Sequence, residues 1–517
     1  MINKRILREN LQKHFGYSAF RTGQEEIILD VMKGKDVLGI LPTGSGKSIC
    51  YQLPAKLLEG VTIVVSPLIS LMVDQVRQLK ASHFKKVAAI NSFISRSERN
   101  HIYKNIHYYK LVYVSPEILQ QDRLQRLLKE LHVSLFVIDE AHCISQWGHE
   151  FRPDYLRLAS TIELLNNPPI LALTATATLQ VQSDIVKTLG RKEFARHVHP
   201  MDKDNITFSV QQVVDENEKL QVITPLLNKY RVPTIIYFSS REATEKVSEQ
   251  LKSNTEARIA FYHGGMDQYD RVTIQQQFMN DQLDVICCTS AFGMGINKSN
   301  IRLIIHFHMP PNLESFIQEV GRGGRDGDTC VSLLLSSPGD IYIPQSMIQG
   351  ELPTNNQIEY TFHQLEKLVI ANQSLPTDNI EIENYFQLSE IQWRFLFFQF
   401  EKRGIIKRRA IYFEPVKWKT AQEEIIKLRN QRSGLKEKNL TEILRWTEEK
   451  SCLRKRLYSA FQNTVKSPLF QCCSNCDFQW SQWNPAQTNI ENIGIDDDTW
   501  KTKLRKLLLI EAPDETI

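Results

Sequence analysis

The sequence contains no long apolar run. None of its segments approaches the ~20 consecutive apolar residues that a membrane-spanning helix needs. The first residues, from Met1 to Arg5, also lack the apolar stretch of a signal peptide. Both absences argue against a membrane or secreted protein, and we expect a cytoplasmic protein with no membrane partner.

An excess of charge of one sign is also missing. The 517 residues include 63 Lys and Arg against 59 Asp and Glu, so the net charge is only +4. This balance permits nucleic-acid binding without arguing for it, because a local basic patch matters more than the sum. The 42% hydrophobic content is ordinary for globular proteins, and the length predicts several domains of roughly 100–200 residues each.

Cysteine is scarce, and its number, nine, is odd. Five cysteines are scattered through mostly apolar segments, and we interpret them as core thiols. The other four lie close together late in the chain: Cys452, Cys472, Cys473 and Cys476. In a cytosolic protein such a cluster indicates a metal site and not disulfide bonds.

A glycine-rich segment predicts a phosphate-binding loop. Residues 41–48 read Leu-Pro-Thr-Gly-Ser-Gly-Lys-Ser, and they stand between an apolar strand-like run and a segment that can begin a helix. In such a loop backbone N–H groups converge on phosphate, the lysine reaches the outer phosphates and the final serine ligates Mg²⁺. The predicted nucleotide ligands are Thr43, Gly44, Ser45, Gly46, Lys47 and Ser48. A simple turn is the weaker alternative, although Leu41 replaces the glycine of the strict pattern.

The segment before this loop fits an adenine site. It runs from Phe15 to Gln24 and contains aromatic residues, Arg21 and Gln24. A glutamine amide can both donate to and accept from the adenine edge, so we expect Arg21 and Gln24 to bind the nucleotide. A helix-capping turn is the alternative.

Apolar segments that end in polar residues recur with helical segments between them. This pattern predicts a parallel sheet whose active edge lies at the carboxyl ends of its strands. A second series of such strands begins near residue 206, without a phosphate loop of its own. We therefore expect the second unit to close over the nucleotide that the first unit binds.

The sequence Asp139-Glu140-Ala141-His142 follows one of these strands. Asp139 can hold Mg²⁺ through water, Glu140 can orient and polarise the attacking water, and His142 can link the site to neighbouring segments. Combined with Lys47, this pattern predicts a nucleoside triphosphatase.

The next segment, from Cys143 to Tyr155, is rich in aromatic residues. Trp147, His149, Phe151 and Arg152 are the residues we expect to contact DNA, since each stacked base contributes ~1–3 kcal/mol in single-strand binding. Packing of the aromatic side chains inside the protein is the alternative for each residue taken singly.

Together these motifs resemble those of RecQ DNA helicases, within superfamily 2. The resemblance covers roughly residues 5–345 and returns near 450–477. It implies an α/β fold with two RecA-like parallel-sheet motor domains, over residues 1–205 and 206–345. It also implies ATP-driven 3′-to-5′ unwinding of single-stranded and forked DNA in recombination and repair.

Two arginines complete the predicted motor. Arg322 and Arg325 lie in a glycine-punctuated stretch and are good anion ligands, although a solvated basic turn is the alternative. The resemblance makes Arg325 the finger that reaches the γ-phosphate, with Arg322 beside it. Asn297, Ser299 and Gly323 depart from the family's usual Asp, Pro and Ala.

After the motor, residues 352–418 have a helix–helix–helix–wing pattern that resembles a winged helix. Its basic edge, which includes Lys407 and Arg408, would bind phosphates, and a small packing module is the alternative. Residues 420–480 read as a helical subdomain that carries the cysteine cluster, followed by a tail over 481–517.

The resemblance also implies a structural Zn²⁺ in that subdomain. Cys452, Cys473 and Cys476 match the family's ligands, but Gln479 stands where the last cysteine is expected. Cys472 could take its place, although adjacent ligands are geometrically awkward. This layout resembles that of a short paralogue within the family.

Two other functions stay open on sequence grounds. An RNA-remodelling ATPase shares the Asp-Glu-Ala-His segment, and a DNA-structure-binding scaffold with a weak motor would share the overall plan. Intact Lys47, Asp139, Glu140 and Arg325 argue against the scaffold. We expect a monomer, and the sequence identifies no protein partner.

Overall fold

The computed structural model describes residues 3–145, 152–191, 193–292, 298–376, 378–407, 410–462 and 464–485. Within these residues two parallel sheets follow one another and are succeeded by a helical C-terminal region. The predicted α/β fold with two RecA-like motor units is therefore confirmed. No helix in this part of the chain has the length and apolar character needed to cross a bilayer.

The first sheet has seven strands in the order β3-β4-β2-β5-β6-β1-β7, all of them parallel. The strands are β1 (Val37–Ile40), β2 (Val61–Val65), β3 (Val87–Ile90), β4 (Leu111–Val114), β5 (Val133–Ile138), β6 (Ile170–Thr174) and β7 (Ala195–Val198). Its helices are α1 (Lys4–Phe15), α2 (Gln24–Met32), α3 (Ile49–Leu57), α4 (Ile69–Ala81), α5 (Arg96–Lys104), α6 (Pro116–Leu119), α7 (Asp122–Lys129), α8 (Leu158–Leu164) and α9 (Leu179–Thr188). Strands β1, β2, β4 and β6 are buried throughout, which explains their continuous apolar sequences.

The order of this sheet assembles the predicted site. Strands β5, β6 and β1 are neighbours, so the segments that follow them meet at one edge of the sheet. The phosphate loop follows β1, and Asp139 follows β5.

The second sheet has six strands in the order β10-β11-β9-β12-β13-β8, also parallel. The strands are β8 (Ile206–Gln212), β9 (Thr234–Tyr237), β10 (Ile259–Tyr262), β11 (Val285–Cys288), β12 (Leu303–His306) and β13 (Cys330–Ser336). Its helices are α10 (Glu216–Lys229), α11 (Arg241–Asn254), α12 (Gln268–Met279) and α13 (Leu313–Val320). Strand β8 lies at the edge, where its unpaired backbone groups need a cover.

The C-terminal region begins with α14 (Tyr342–Glu351) and ends with α18 (Pro415–Thr447) and α19 (Leu453–Tyr458). Between them lies a small module of three helices and a hairpin: α15 (Asn355–Ile370), α16 (Asn379–Phe386), α17 (Glu390–Lys402), β14 (Ile406–Lys407) and β15 (Ala410–Ile411). The predicted wing is an antiparallel hairpin, in which Ile406 pairs with Ile411. This order of helices and wing is that of the predicted winged-helix-like module.

The predicted limit between residues 418 and 420 differs from the structure. It lies inside the continuous helix α18, and Trp418, Ala421 and Ile425 from that helix belong to the core of the module. One helix thus serves both the winged-helix-like module and the cysteine-bearing subdomain, and no linker separates them there.

The module also contacts the first motor unit. Arg394 on α17 pairs with Asp154 at 3.1 Å and with Glu117 at 3.5 Å, and Glu401 on the same helix pairs with Arg157. These contacts place the module beside the end of the predicted aromatic segment, at Asp154, and the residues directly after it.

Candidate functional site

The phosphate loop depends on two glycines in left-handed backbone conformations. Gly44 has φ 83° and Gly46 has φ 74°, a region that side chains with a Cβ avoid. A Cβ on Gly44 would lie 3.0 Å from Nε of Arg325, and one on Gly46 would lie 3.0 Å from Nε2 of Gln24. The loop is therefore in direct contact with residues from the preceding segment and from the second sheet.

A cavity of about 460 Å³ opens at this loop, a size typical of small-molecule sites. The predicted site residues that line it are Arg21, Gln24, Thr43, Gly44, Gly46, Lys47, Ser48, Asp139, Glu140, Arg322 and Arg325. Ser45 is not among its lining residues. Tyr51, Gln52 and Gln75 also line the cavity and were not predicted, because isolated polar residues on helices carry no motif.

Arg21 and Gln24 are hydrogen-bonded to the loop itself. Arg21 Nη1 donates to the Gly44 carbonyl at 2.6 Å, and Gln24 Nε2 donates to the carbonyls of Ser45 and Gly46 at 2.7 and 3.0 Å. Gln24 Oε1 accepts from the Arg21 N–H at 2.9 Å. The amide thus donates and accepts, as an adenine contact requires, but here its partners are backbone groups. The contact with adenine stays a prediction.

Asp139 and Glu140 form the acidic side of the cavity. Glu140 adopts a left-handed conformation with φ 48°, which is costly for a residue other than glycine and is found at functional sites. Burial and, after it, the charge of Glu140 raise the pKa of Asp139 to about 7, although the charge of Lys47 acts in the opposite direction. A divalent cation would favour the charged carboxylate, so this aspartate, with Ser48 across the cavity, fits a Mg²⁺ site.

A chain of polar contacts connects Glu140 to the second sheet. Nδ1 of His142 lies 3.4 Å from a Glu140 carboxylate oxygen and 2.9 Å from the Thr174 hydroxyl. That hydroxyl lies 3.1 Å from the Thr176 carbonyl, and the Thr176 side chain accepts from Gln318 Nε2 at 3.2 Å. His142 therefore lies where the predicted link between neighbouring segments would be.

The two predicted arginines reach the cavity from the end of α13. Arg322 is buried and Arg325 is half-buried. Desolvation lowers the pKa of Arg325 to about 10, and the charges of Arg322 and Arg21 act in the same direction. A Cβ on Gly321 would lie 2.8 Å from Cβ of Thr43. Only glycine permits this close approach of the end of α13 to the phosphate loop. The approach brings Arg322 and Arg325 to the loop that would hold the phosphates.

The departure from the family pattern at position 323, where glycine replaces the usual alanine, has a structural reason. A Cβ at this position would lie 2.3 Å from Sγ of Cys330. The cysteine side chain therefore occupies the space that an alanine methyl group would need. The Ser299 carbonyl accepts the Arg325 N–H at 3.0 Å, a contact that does not depend on the side chain at 299, and Asn297 lies outside the described residues.

The structure does not describe most of the residues that we predict to contact DNA. Trp147, His149, Phe151 and Arg408 lie outside the described residues. Arg152 Nη1 donates to the Pro67 carbonyl at 3.1 Å, and Lys407 is exposed with its ammonium 5.6 Å from the Tyr412 ring centroid.

A second cavity of about 570 Å³ lies between the carboxyl ends of the second sheet and the helices α14 and α18. Its walls include Arg241, Thr289 and Ser290 on the sheet side and Arg432 and Lys436 on α18. Cationic and hydroxyl groups are the usual partners of a nucleic-acid backbone.

The four late cysteines form one cluster. Their Sγ atoms all lie within 4.8 Å of one another, with 3.6 Å between Cys452 and Cys472 and 3.5 Å between Cys473 and Cys476. Tetrahedral zinc about 2.3 Å from each sulfur separates the sulfurs by about 3.8 Å. The cluster fits zinc, and it includes the adjacent Cys472.

The backbone around the cluster covers the open edge of the second sheet. The N–H of Phe208 on β8 donates to the Cys472 carbonyl at 3.2 Å, and the N–H of Ser474 donates to the Phe208 carbonyl at 2.8 Å. The subdomain is thus part of the motor and not a separate appendage.

Comparisons with known proteins agree with this geometry. A family model described as DEAD/DEAH box helicase matches residues 21–185, and one described as helicase conserved C-terminal domain matches residues 218–327. The probable ATP-dependent DNA helicase RecS of Bacillus subtilis is 38% identical over 511 residues, which cover 98% of this chain and 99% of that protein. The ATP-dependent DNA helicase RecQ of Haemophilus influenzae is 38% identical over 388 residues, 75% of this chain and 62% of that protein.

Among solved structures, helicase Lhr of Mycobacterium smegmatis bound to ssDNA and AMP-PNP superimposes with a TM-score of 0.56. The match has 19% identity and covers 81% of this chain and 61% of that one. At this identity the likeness shows the fold alone.

Proposed function

Because this chain belongs to the RecQ family and is an ATP-hydrolysing DNA helicase, we propose that it unwinds forked DNA with 3′-to-5′ polarity in recombination and repair. One observation carries the motor mechanism. The Arg325 side chain, from the second sheet, lies against Gly44 in the phosphate loop of the first. A triphosphate in this cavity would be shared by both units.

The proposed chemistry assigns a role to each side of the cavity. Lys47 neutralises the outer phosphates, and Glu140 orients a water for in-line attack. Arg325, with Arg322 beside it, stabilises the charge that develops on the transferred phosphoryl group. Ser48 and Asp139 would hold Mg²⁺, which supplies charge neutralisation at the phosphates when bound.

Coupling to movement follows from the contacts between the sheets. Binding of ATP draws Arg325 and Gln318 toward the first sheet, and hydrolysis with release of products allows the cleft to reopen. A strand held alternately by the two units would then advance. The contact between Gln318 and Thr176 supports this coupling. It connects the second sheet to the series of polar contacts through which Thr174 and His142 reach Glu140.

For DNA we propose two contact regions. Trp147, His149, Phe151 and Arg152 would stack on and hold unpaired bases, while Lys407 and Arg408 would bind phosphates of the duplex. The second cavity, between the second sheet and α18, supports a strand path across the motor through Arg241, Thr289 and Ser290. Lys436 on its opposite wall is paired with Glu351. We propose a cytoplasmic monomer, and single-stranded and forked DNA are its partners.

Polarity is tested with tailed duplexes. Unwinding should be fast on a forked duplex with a 3′ single-stranded tail and at least about tenfold slower on a blunt duplex or one with only a 5′ tail. The reason is that a translocating motor needs a single strand of the correct direction to load. Strand separation is measured by fluorescence, with an RNA substrate of the same sequence as the control. Faster unwinding of the 5′-tailed duplex, or of the RNA, would overturn this proposal.

We also propose that the cysteine cluster binds one structural Zn²⁺ through Cys452, Cys472, Cys473 and Cys476. Protein purified without chelator should contain about one zinc per chain by elemental analysis, since thiolate sites retain zinc and stabilise small subdomains.

The fourth ligand is tested with two variants. Cys472→Ser should bring the zinc content well below one per chain, whereas Gln479→Ala, at the position where the family carries a cysteine, should leave it unchanged. Zinc-free wild-type protein would exclude the site. Full retention in Cys472→Ser would exclude that residue as a ligand.

A further inference from the structure

The connection between the two sheets holds the loop that carries the arginines. The ammonium of Lys203 donates to the carbonyls of Gly321 at 2.8 Å and Gly323 at 3.1 Å, and these two carbonyls flank Arg322 in the chain. Hydrogen bonds from a charged donor are roughly twice as strong as neutral ones. One side chain of the connection therefore fixes the backbone on both sides of Arg322.

A second residue of the connection continues this support. Nδ2 of Asn205 donates to the carbonyls of Gly324 and Asp328, both at 2.7 Å. Arg325 lies between those two residues. The whole loop is thus held by the four-residue stretch between Met201 and Ile206, and not only by its own sheet.

The connection is itself fixed from the cysteine-bearing subdomain. Arg454 on α19 is 1% exposed, pairs with the Asp202 carboxylate and donates to the Lys203 carbonyl at 2.8 Å. The Lys466 N–H donates to the other Asp202 oxygen at 2.8 Å. These contacts define where the Lys203 backbone lies, and hence where its ammonium can reach.

The position of Lys203 is electrostatically unfavourable without an anion nearby. Desolvation lowers its pKa to about 8, and the charge of Arg325 acts in the same direction. A cation placed beside arginines costs stability on its own, and such placement is common at sites that receive a negatively charged ligand. The triphosphate proposed above would offset this repulsion.

We propose that Lys203 is a positioning residue for ATP hydrolysis. It holds the Gly321 and Gly323 carbonyls so that Arg325 keeps its place against the phosphate loop when the two sheets close. This inference rests on the proposed role of Arg325. The alternative is that the same hydrogen bonds only stabilise the folded chain.

The test replaces the ammonium and keeps most of the chain length. Lys203→Met should lower the DNA-stimulated kcat by about 10- to 100-fold, because a misplacement of about 1 Å at a reacting group can cost 10²-fold. KM for ATP should change by less than about threefold, since the Lys203 ammonium donates to carbonyls of the arginine-bearing loop and is not proposed to bind the nucleotide. Lys203→Arg, which keeps the charge and the donors, should restore kcat to within about threefold of wild type.

A matched control is available in the first motor unit. The Lys110 ammonium also donates to a backbone carbonyl, that of Leu58 at 3.0 Å, and its side chain is also half-buried. Lys110→Met should therefore keep wild-type kcat. Should Lys203→Met fail to fold, Lys203→Gln, which keeps one neutral donor, gives the same comparison.

Ligand affinity separates positioning from general stability. Lys203→Met should weaken binding of ADP–aluminium fluoride, which mimics the phosphoryl group in the transition state, and leave ADP binding and the thermal midpoint unchanged. Wild-type kcat, or equal weakening of both ligands with a lower thermal midpoint, would overturn the inference.

Arg325→Ala measured in parallel distinguishes the two proposals. If Arg325→Ala keeps its kcat, the proposed role of Arg325 fails, and this inference fails with it. If Arg325→Ala loses kcat and Lys203→Met does not, only the inference fails. If Lys203 acts through Arg325, adding Lys203→Met to Arg325→Ala should cause little further loss of kcat.

Discussion

Lys47→Ala is expected to lower DNA-stimulated ATP turnover by at least about 10²–10³, because it removes a fixed positive charge from the phosphate site. Lys47 lines the cavity together with Ser48 and Asp139, and it is only half-buried. It does not belong to the hydrophobic core, so its truncation leaves no core void. The fold and the thermal midpoint should therefore be retained.

The measurement is steady-state ATP hydrolysis at saturating single-stranded DNA. Lys33→Ala is a suitable control, since Lys33 lies in the same unit, its side chain is exposed, and it forms an ion pair with Asp30 at 3.7 Å. It should retain full activity. Wild-type turnover by a homogeneous Lys47→Ala preparation would show that this loop is not the hydrolytic site.

Arg325→Ala has the second large expected effect. Arginine fingers contribute about 10³–10⁵ to turnover in other phosphoryl-transfer enzymes, and we expect a loss within that range. ATP affinity should change much less, because the finger acts mainly on charge that develops in the transition state. Arg325→Lys should recover only part of the loss, since a lysine lacks the planar pair of donors.

Single-turnover hydrolysis, with binding of a fluorescent ATP analogue, separates these two quantities. Arg231→Ala provides the control. Arg231 lies in the second unit and pairs with Glu256, and it does not line the cavity. A loss of affinity equal to the loss of turnover would mean that Arg325 binds ATP in the ground state and does not act as a finger.

The local parts of the site could be predicted because each of them is a short motif of neighbouring residues. The stretch from Thr43 to Ser48 and the pair Asp139 and Glu140 each lie directly after a buried strand, and the sheet order makes those strand ends neighbours. The parallel fold followed from the same alternation of apolar strands and helices.

The contact between Arg325 and Gly44 could not be derived from spacing. These residues are far apart in the sequence, and they meet only because the second sheet folds against the first. A family resemblance indicated the finger, but the residues alone left a solvated basic turn as an alternative. Lys203 was missed because its acceptors are backbone carbonyls, which have no sequence signature.

Some features have only a weak sequence signal. The edge strand β7 lacks the apolar pattern of the other strands, because its alternate residues are exposed and two of its four residues, Arg196 and His197, are polar. The adjacency of Cys472 and Cys473 seemed unfavourable for a shared metal. The chain turns sharply after Cys473, whose carbonyl accepts the N–H groups of Cys476, Asp477 and Phe478. This turn brings Cys476 within 3.5 Å of Cys473, sulfur to sulfur, while Cys472 lies 3.6 Å from Cys452.

The central claim is that hydrolysis at the cavity between the two sheets drives strand separation. The most direct test is unwinding of a forked, 3′-tailed duplex under single-turnover conditions, with ATP, with AMP-PNP and without nucleotide. We predict separation by the wild-type protein with ATP alone, and none by Lys47→Ala under any of the three conditions. Separation that proceeds equally with AMP-PNP, or in Lys47→Ala, would contradict the account.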